Sequence, residues 1–395
     1  MDSPSAGSPP RCTVCGGADL RPVIEIPRVP VHCNLLWERR EEALAAPRGD
    51  IDLVFCPRCG HLFNRAFAPH LTAYSQAYEN SLHYSPRFQA YADDLAHRLK
   101  ERYGLRGKRV IEIGSGQGDF LRALIRLGVE QGIAFDPAYT PAPGDEDLGE
   151  SLVVVPDFYS ADHADRDADL IYSRHVLEHV EAPTEFLRAI RQAIGERRTP
   201  LFCEVPNALF ILRDLSVWDV IYEHPSYFSP GSLAQAFRAA GFRVESVEEA
   251  FEAQFLWADG QPAPAAEPTP EGPRPQDLER FVGAFGAHYT ERVATWRGRM
   301  AELAGASRRV VVWGVGSKGV TFLNALGPDA PIDCVVDINP RKEGMYVAGT
   351  GQRIIAPEAL REVRPDVIII MNPAYREEIG RQAEALGLDC RILTG

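Results

Sequence analysis

Nowhere in its 395 residues does this chain hold an apolar run long enough to span a bilayer, which takes about 20 consecutive apolar residues. Basic residues are scarce as well: 42 Lys and Arg stand against 55 Asp and Glu, a formal net charge of −13. A nucleic-acid groove needs clustered Lys and Arg, so neither nucleic acid nor membrane is an expected partner. An anionic small molecule is still compatible, because a local basic pocket can sit within an acidic surface. The first ten residues, Met1 to Pro10, lack the charged-then-apolar order of a secretory signal. They read as a disordered tail, and the expected location is the cytoplasm. Thiols stay reduced there, so the eight cysteines argue for metal binding over disulfides. No repeat of solenoid period occurs.

What the chain does have is the balance of an ordinary globular protein, 45% hydrophobic and 25% charged. Its length asks for two or three domains. From Arg11 to about residue 70 the chain is cysteine-punctuated, with Cys12-x-x-Cys15 and Cys56-Pro-Arg-Cys59-Gly-His61. Two such turns present four thiolates to one tetrahedral ion, and four Cys ligands leave no open position, so Cys12, Cys15, Cys56 and Cys59 are expected to hold a structural Zn²⁺. His61 reads as a surface turn residue and Cys33, Cys203, Cys334 and Cys390 as core fillers. Residues 1–70 are thus expected to form a zinc-binding module. After it, Tyr91, Leu95 and Leu99 recur at helical spacing, and strand and helix signals alternate from Val110 to Glu204. That rhythm predicts a parallel sheet with helices on both faces over residues 71–256. The proline-rich stretch 257–276 reads as a linker. Residues 277–395 open with a helix and repeat the strand–glycine–helix pattern at Arg309-Val-Val-Val-Trp-Gly-Val-Gly-Ser-Lys-Gly319, a smaller Rossmann-like domain.

Within the first α/β unit, Arg109-Val-Ile-Glu-Ile-Gly-Ser-Gly-Gln-Gly-Asp-Phe120 is a strand that stops at glycines and starts a helix, and a second apolar run ends at Asp136. Glycines let backbone approach a ligand closely, and a carboxylate ending the second strand suits a ribose. The pattern Glu112-x-Gly114-x-Gly116-x-Gly118 departs from the dinucleotide fingerprint and resembles the first motif of class I S-adenosylmethionine (SAM) methyltransferases. That resemblance implies a SAM site made by Glu112, Gly114, Gly116, Gly118 and Asp136. Asp157 and Phe158 would supply an acid for the adenine amine and a ring for its face. Asp169-Leu-Ile-Tyr-Ser-Arg-His-Val-Leu-Glu-His179 resembles the HVLEH segment of the same family, placing His175 near the cofactor and giving His179 a lesser claim.

Asp219-Val-Ile-Tyr222-Glu223-His224 offers hydroxyl, carboxylate and imidazole in succession. Methyl transfer from a sulfonium needs a nucleophile held in line; a carbon acceptor beside a ketone also needs a base and a stabilised oxyanion. In order and content the whole chain resembles the sugar C-methyltransferases, which methylate C3 of TDP-linked 4-keto deoxysugars. The resemblance implies that His224 removes the C3 proton, that Tyr222 and Glu223 orient it or bind sugar, and that Tyr78 is an active-site tyrosine. Two departures mark a divergent branch. The family's Tyr-His-Glu-His is one residue shorter here, and Phe251-Glu-Ala-Gln-Phe-Leu-Trp257 replaces a His-Gly-Gly-Ser loop. In the C-terminal domain, Gly316 and Lys318 are candidates to grip the pyrophosphate of a nucleotide sugar, while Arg341-Lys342 read as a solvated turn.

The expectation is therefore an α/β enzyme, a class I SAM methyltransferase domain flanked by an N-terminal zinc module and a C-terminal Rossmann-like domain. Its partner would be a small molecule, nucleotide-linked sugars being the class the resemblance implies, and its state a monomer or weak homo-oligomer. The alternatives are O- or N-methylation of another small metabolite, or a non-catalytic SAM-binding protein.

Overall fold

A computed structural model describes residues 10–72, 79, 81–142, 144–263 and 276–395. Three sheets organise them. The first is antiparallel and begins with β1 (Arg21–Pro30), β2 (Arg48–Phe55) and β3 (Leu62–Asn64), with a short helix α1 (Arg40–Leu44) between β1 and β2. Helix α2 (Pro86–Tyr103) then leads into the second sheet. Ser85 caps its start by accepting the Phe88 N–H, and Gly104 ends it at φ +61°, a conformation that costs glycine little. Leu95 and Leu99, read from the sequence as one apolar face, are buried there.

The second sheet starts β4 (Arg109–Ile113), α3 (Asp119–Arg126), β5 (Gln131–Phe135), β6 (Leu152–Val155), β7 (Leu170–Arg174), α4 (Pro183–Ile194) and β8 (Leu201–Pro206). After α5 (Ala208–Arg213), the chain returns to the first sheet as β9 (Ser226–Tyr227), which pairs with β3. It then completes the second sheet through α6 (Pro230–Ala239), β10 (Phe242–Ala250) and β11 (Phe255–Pro262). The resulting order is β10-β11-β8-β7-β4-β5-β6, with β11 alone antiparallel to its neighbours. This is the class I SAM methyltransferase arrangement, with the switch point between β4 and β7 placing the cleft above the glycine loop.

Part of the expected 257–276 linker is strand. Residues 257–262 belong to β11 and pair with β10 and β8, because Leu256 and Ala258 fill the core face while Trp257 covers the other. Residues 264–275 lie outside the described residues. Helix α7 (Gln276–Gly305) follows, then the third sheet, β12 (Val310–Trp313), α8 (Ser317–Leu326), β13 (Cys334–Val336), β14 (Ile354–Ile355), α9 (Leu360–Val363), β15 (Val367–Ile370), α10 (Arg376–Ala385) and β16 (Arg391–Thr394). Its order, β14-β13-β12-β15-β16, is wholly parallel.

One hydrophobic core joins the first and third sheets. Ile51, Leu53 and Phe55 of β2 share it with Trp296 and Phe285 of α7 and with Val310 and Val312 of β12. No described helix is long and apolar enough to cross a membrane.

Candidate active site

Both glycine loops face one cavity of about 780 Å³, lined from all three sheets' neighbourhoods. On the first side, Gly114, Gly116 and Gly118 all have positive φ (+72°, +54° and +76°). At Gly114 there is no room for a side chain: a Cβ would lie 2.3 Å from Val176 Cγ2, so the loop and the HVLEH segment are in direct contact. Asp136 ends β5 and holds the loop, accepting the Gly116 N–H at 2.8 Å and the Ala138 N–H at 2.9 Å. Glu112 is buried at the end of β4 beside Tyr172. Burial raises its carboxyl to about 8, against the pull of Arg174, and its Oε2 has no hydrogen-bond partner. Asp157 and Phe158 line the cavity, and Phe158 is 66% exposed.

Behind this loop sits a charge cluster that the sequence did not announce. Glu204, wholly buried on β8, receives Arg174 Nε at 2.8 Å, lies 3.0 Å from His175 Nε2 and accepts the Tyr91 hydroxyl at 3.1 Å. Burial opposes its charge, but Arg174 and His175 prevail and hold it at about 2. The reciprocal holds for His175: burial works against the imidazolium, and Glu204 with Glu178 raises it to about 9. His175 is therefore cationic at neutral pH and sits at φ +54°, a strained setting for a non-glycine residue.

His224 lines the cavity opposite the glycine loop, its ring 4.8 Å from that of His179 and 5.9 Å from that of Tyr227. Burial, with His179, His175 and Lys318 close by, holds its protonation well below the usual histidine range. A neutral imidazole at the cavity wall is a competent proton acceptor. His179 has a fixed tautomer: its Nδ1–H donates to the Glu223 carbonyl at 2.9 Å, leaving Nε2 with the lone pair.

Its neighbours take other posts than the sequence suggested. Tyr222 does not reach the cavity. Its hydroxyl accepts the Ala68 N–H at 2.9 Å, its ring packs on Phe67, and it lies so close over Gly49 that a Cβ there would be 2.2 Å from Cε2. Glu223 points toward the N-terminal module, accepting the Cys33 N–H at 2.8 Å, with His32 Nδ1 3.4 Å away. Its carboxylate anchors the segment to that module, and the residue also lines the cavity beside His224. Tyr78 lies outside the described residues, but Glu79 next to it accepts from Asn339 at 3.1 Å and Arg341 at 3.0 Å.

On the far side, Gly314, Gly316 and Lys318 line the same cavity at the start of α8. The loop repeats the first one: Asp337 accepts the Val315 N–H and the Asn339 N–H, each at 2.9 Å, as Asp136 does across the cleft. Lys318 is paired with Asp219, which ties the His224 segment to α8. Lys342 is not a solvated turn residue. It is buried and donates to the Val315 carbonyl at 2.9 Å, because the loop needs a cation behind its carboxylate.

Where the His-Gly-Gly-Ser loop was expected, Phe251, Glu252 and Ala253 adopt positive φ in succession (+47°, +56° and +64°). Non-glycine residues disfavour this by roughly 1 kcal/mol each. Packing enforces it: Phe251 stacks on Phe255 at 5.1 Å, Asn207 donates to the Ala253 carbonyl at 2.9 Å, and the Gln254 and Asn372 amides pair across the cleft.

In the N-terminal module the four cysteines converge. Cys12 and Cys59 Sγ are 3.6 Å apart, Cys15 and Cys56 Sγ 3.5 Å, and none forms a disulfide. Tetrahedral zinc with bonds of about 2.3 Å spaces its sulfurs by roughly 3.8 Å, so the donor set is compatible with a metal. Each Cys-x-x-Cys turn closes on a glycine of positive φ, Gly16 or Gly60. His61 is fully buried between Phe63 and Phe228 and is not a surface residue; the strand β3 that follows carries it into the core.

Comparison with known proteins places these features together. A methyltransferase domain family matches residues 84–247, and a C-methyltransferase C-terminal domain family matches residues 278–389. The chain is similar to C-methyltransferase NovU of Streptomyces niveus, 27% identical over 393 residues, covering 93% of this chain and 90% of that protein. Among solved structures, 1,6-didemethyltoxoflavin-N1-methyltransferase of Burkholderia thailandensis, bound to its substrate and S-adenosylhomocysteine, is 18% identical, covering 55% of this chain and 96% of its own, with a TM-score of 0.37. A SAM-dependent methyltransferase from Aquifex aeolicus is 16% identical over 45% of this chain and 94% of its own, with a TM-score of 0.35.

Proposed function

We propose, for a chain that belongs to the SAM-dependent sugar C-methyltransferase family, that it methylates a carbon alpha to a ketone on a nucleotide-linked, TDP-type deoxysugar. The observation that carries this reading is a neutral His224 at the wall of a cavity shared by two facing glycine loops. Two such loops suit two ligands, one on each side. SAM supplies an electrophilic methyl sulfonium when bound on the Gly114 side. There Glu112 would meet its ammonium, Asp136 its ribose, Asp157 and Phe158 its adenine, with His175 alongside. On the Gly316 side, backbone amides and Lys318 would receive the pyrophosphate once Lys318 trades Asp219 for the anion.

His224 then takes the proton from the carbon beside the ketone. The C–H pair becomes the C=C bond of the enolate as the carbonyl π pair moves to oxygen, leaving a nucleophilic carbon that would accept the methyl group. Tyr78 is the tyrosine the resemblance assigns to this site. A carbon acid is hard to ionise unless its oxyanion is stabilised, and the positive groups around the cavity, His175 and Lys318, favour that charge. In the N-terminal module the four thiolates would hold a structural Zn²⁺ with no open position. It would act on folding and not on chemistry.

In D₂O with TDP-linked keto-deoxysugars, the protein should add one methyl and, without SAM, exchange the alpha proton. His224→Ala should lower both by roughly 10²–10⁴-fold while keeping SAM affinity. Methyl transfer without exchange would redirect the assignment to an O- or N-acceptor, and loss of SAM binding in His224→Ala would refute the role of His224.

SAM binding should also depend on pH. In the free protein Glu112 is largely protonated at pH 7, since burial has raised it to about 8. A bound ammonium favours the carboxylate, so binding expels a proton and affinity should rise with pH up to about 8, by at most ~tenfold per unit. Calorimetry in two buffers of different ionisation heat reads this proton, and Glu112→Gln should abolish it. Affinity independent of pH in the unaltered protein would remove Glu112 from the ammonium site. For the metal, Cys56→Ser should lower bound zinc and solubility, and unchanged metal content would contradict the zinc assignment.

A further inference from the structure

The base does not stand alone in its corner of the cavity. Glu178, His179 and His224 each offer one ligand atom, and the three atoms lie within 4.8 Å of one another. Two features make this more than a chance cluster. Glu178 is only 2% exposed, yet its Oε2 has no hydrogen-bond partner; its other oxygen lies 3.4 Å from His175 Nδ1. His179 is locked as a ligand, because donation from Nδ1 to the Glu223 carbonyl leaves the Nε2 lone pair free, the outer-sphere arrangement that orients metal-bound histidines.

We propose that Glu178, His179 and His224 form a second divalent-cation site, separate from the four cysteines, which takes a borderline transition ion such as Zn²⁺ or Co²⁺ and thereby inhibits the enzyme. Two imidazoles and one carboxylate suit such ions far better than Mg²⁺ or Ca²⁺, which prefer all-oxygen sets. Ligand bonds of about 2.1 Å place donor atoms roughly 3–3.5 Å apart, which modest side-chain rotations reach from the present spacing. Occupancy uses the lone pair of His224 that proton abstraction requires, so cation and turnover exclude each other. The site also faces the cavity, so the ion enters and leaves without unfolding the protein. The inhibitory half rests on the assignment of His224 as base; the binding half does not.

The test uses full-length protein with its cysteine site saturated with Zn²⁺, titrated with Co²⁺ alone. The expected result is one further Co²⁺ per chain, with visible d–d absorption and no thiolate-to-cobalt charge-transfer band. His179→Ala and Glu178→Gln should each weaken that binding at least ~tenfold while retaining the zinc at the cysteines, which also reports that they are folded. Methyl transfer should fall in parallel with cobalt occupancy and return on adding a mild chelator. Absence of a second equivalent, or equal binding by both variants, would overturn the site. Binding without any loss of turnover, or turnover that rises with Co²⁺, would overturn the inhibition. If no sugar is methylated under any condition, the function assigned above fails while the cobalt spectrum still decides whether the site exists.

Discussion

The buried carboxylate of Glu223 is the joint on which the cavity depends. It lies next to His224 in the chain yet reaches away from it, into the N-terminal module, where it accepts the Cys33 N–H. Its own backbone carbonyl fixes the tautomer of His179. On one flank Tyr222 is wedged over Gly49 and bonded to Ala68; on the other, Ser226 and Tyr227 add a strand to the cysteine-bearing sheet. Asp219 completes the brace by pairing with Lys318 of the C-terminal domain. The segment carrying His224 is thus held at several points by two modules that make no part of the SAM-type sheet. A buried carboxylate that lost its backbone donor would be left charged and unsatisfied, which is costly, so the N-terminal module has a direct mechanical claim on the position of His224.

Across the cleft, the same solution appears twice. Each α/β unit ends its first strand at a glycine, and an Asp on the second strand accepts two backbone N–H groups: Asp136 from Gly116 and Ala138, Asp337 from Val315 and Asn339. In both, the carboxylate organises the loop, and glycines of each loop line the cavity. The two sides differ in charge. On the first, burial raises Glu112 and the Glu204 cluster keeps His175 cationic; on the second, Lys318 and Lys342 stand behind the loop. Two similar cradles of different charge thus face one volume.

Much of this was legible in the sequence, for reasons that are local. Glycines at 114, 116 and 118, the Asp136 strand end and the Cys-x-x-Cys pairs each announce themselves within a few residues, because turns and strand ends are made by neighbours. The strand Phe255–Pro262 was hidden by the prolines that follow it, although Phe-Leu-Trp-Ala carries the alternating pattern of a paired strand. Contacts at long range were not legible. Tyr222 and Glu223 look like catalytic partners of His224 by adjacency, but they form a turn closed by the His224 N–H on the Ile221 carbonyl, and the Tyr222 ring and the Glu223 carboxylate reach the N-terminal module. Glu178 and His179 were visible in the HVLEH motif; what the sequence lacked was their convergence with His224, some 45 residues further on. The left-handed turn at Phe251–Ala253 carries no local signal either, since packing on Phe255 and the Asn207 bond impose it.

The protonation of His224 in its cavity is measured directly by histidine-selective ¹⁵N NMR of the ligand-free protein, titrated with pH and assigned with His224→Ala. Burial, with His179, His175 and Lys318 close by, should hold His224 unprotonated well below the ordinary value of 6.5, while His175 stays protonated to about 9. A His224 midpoint at or above 6.5 would contradict a base prepared by its surroundings.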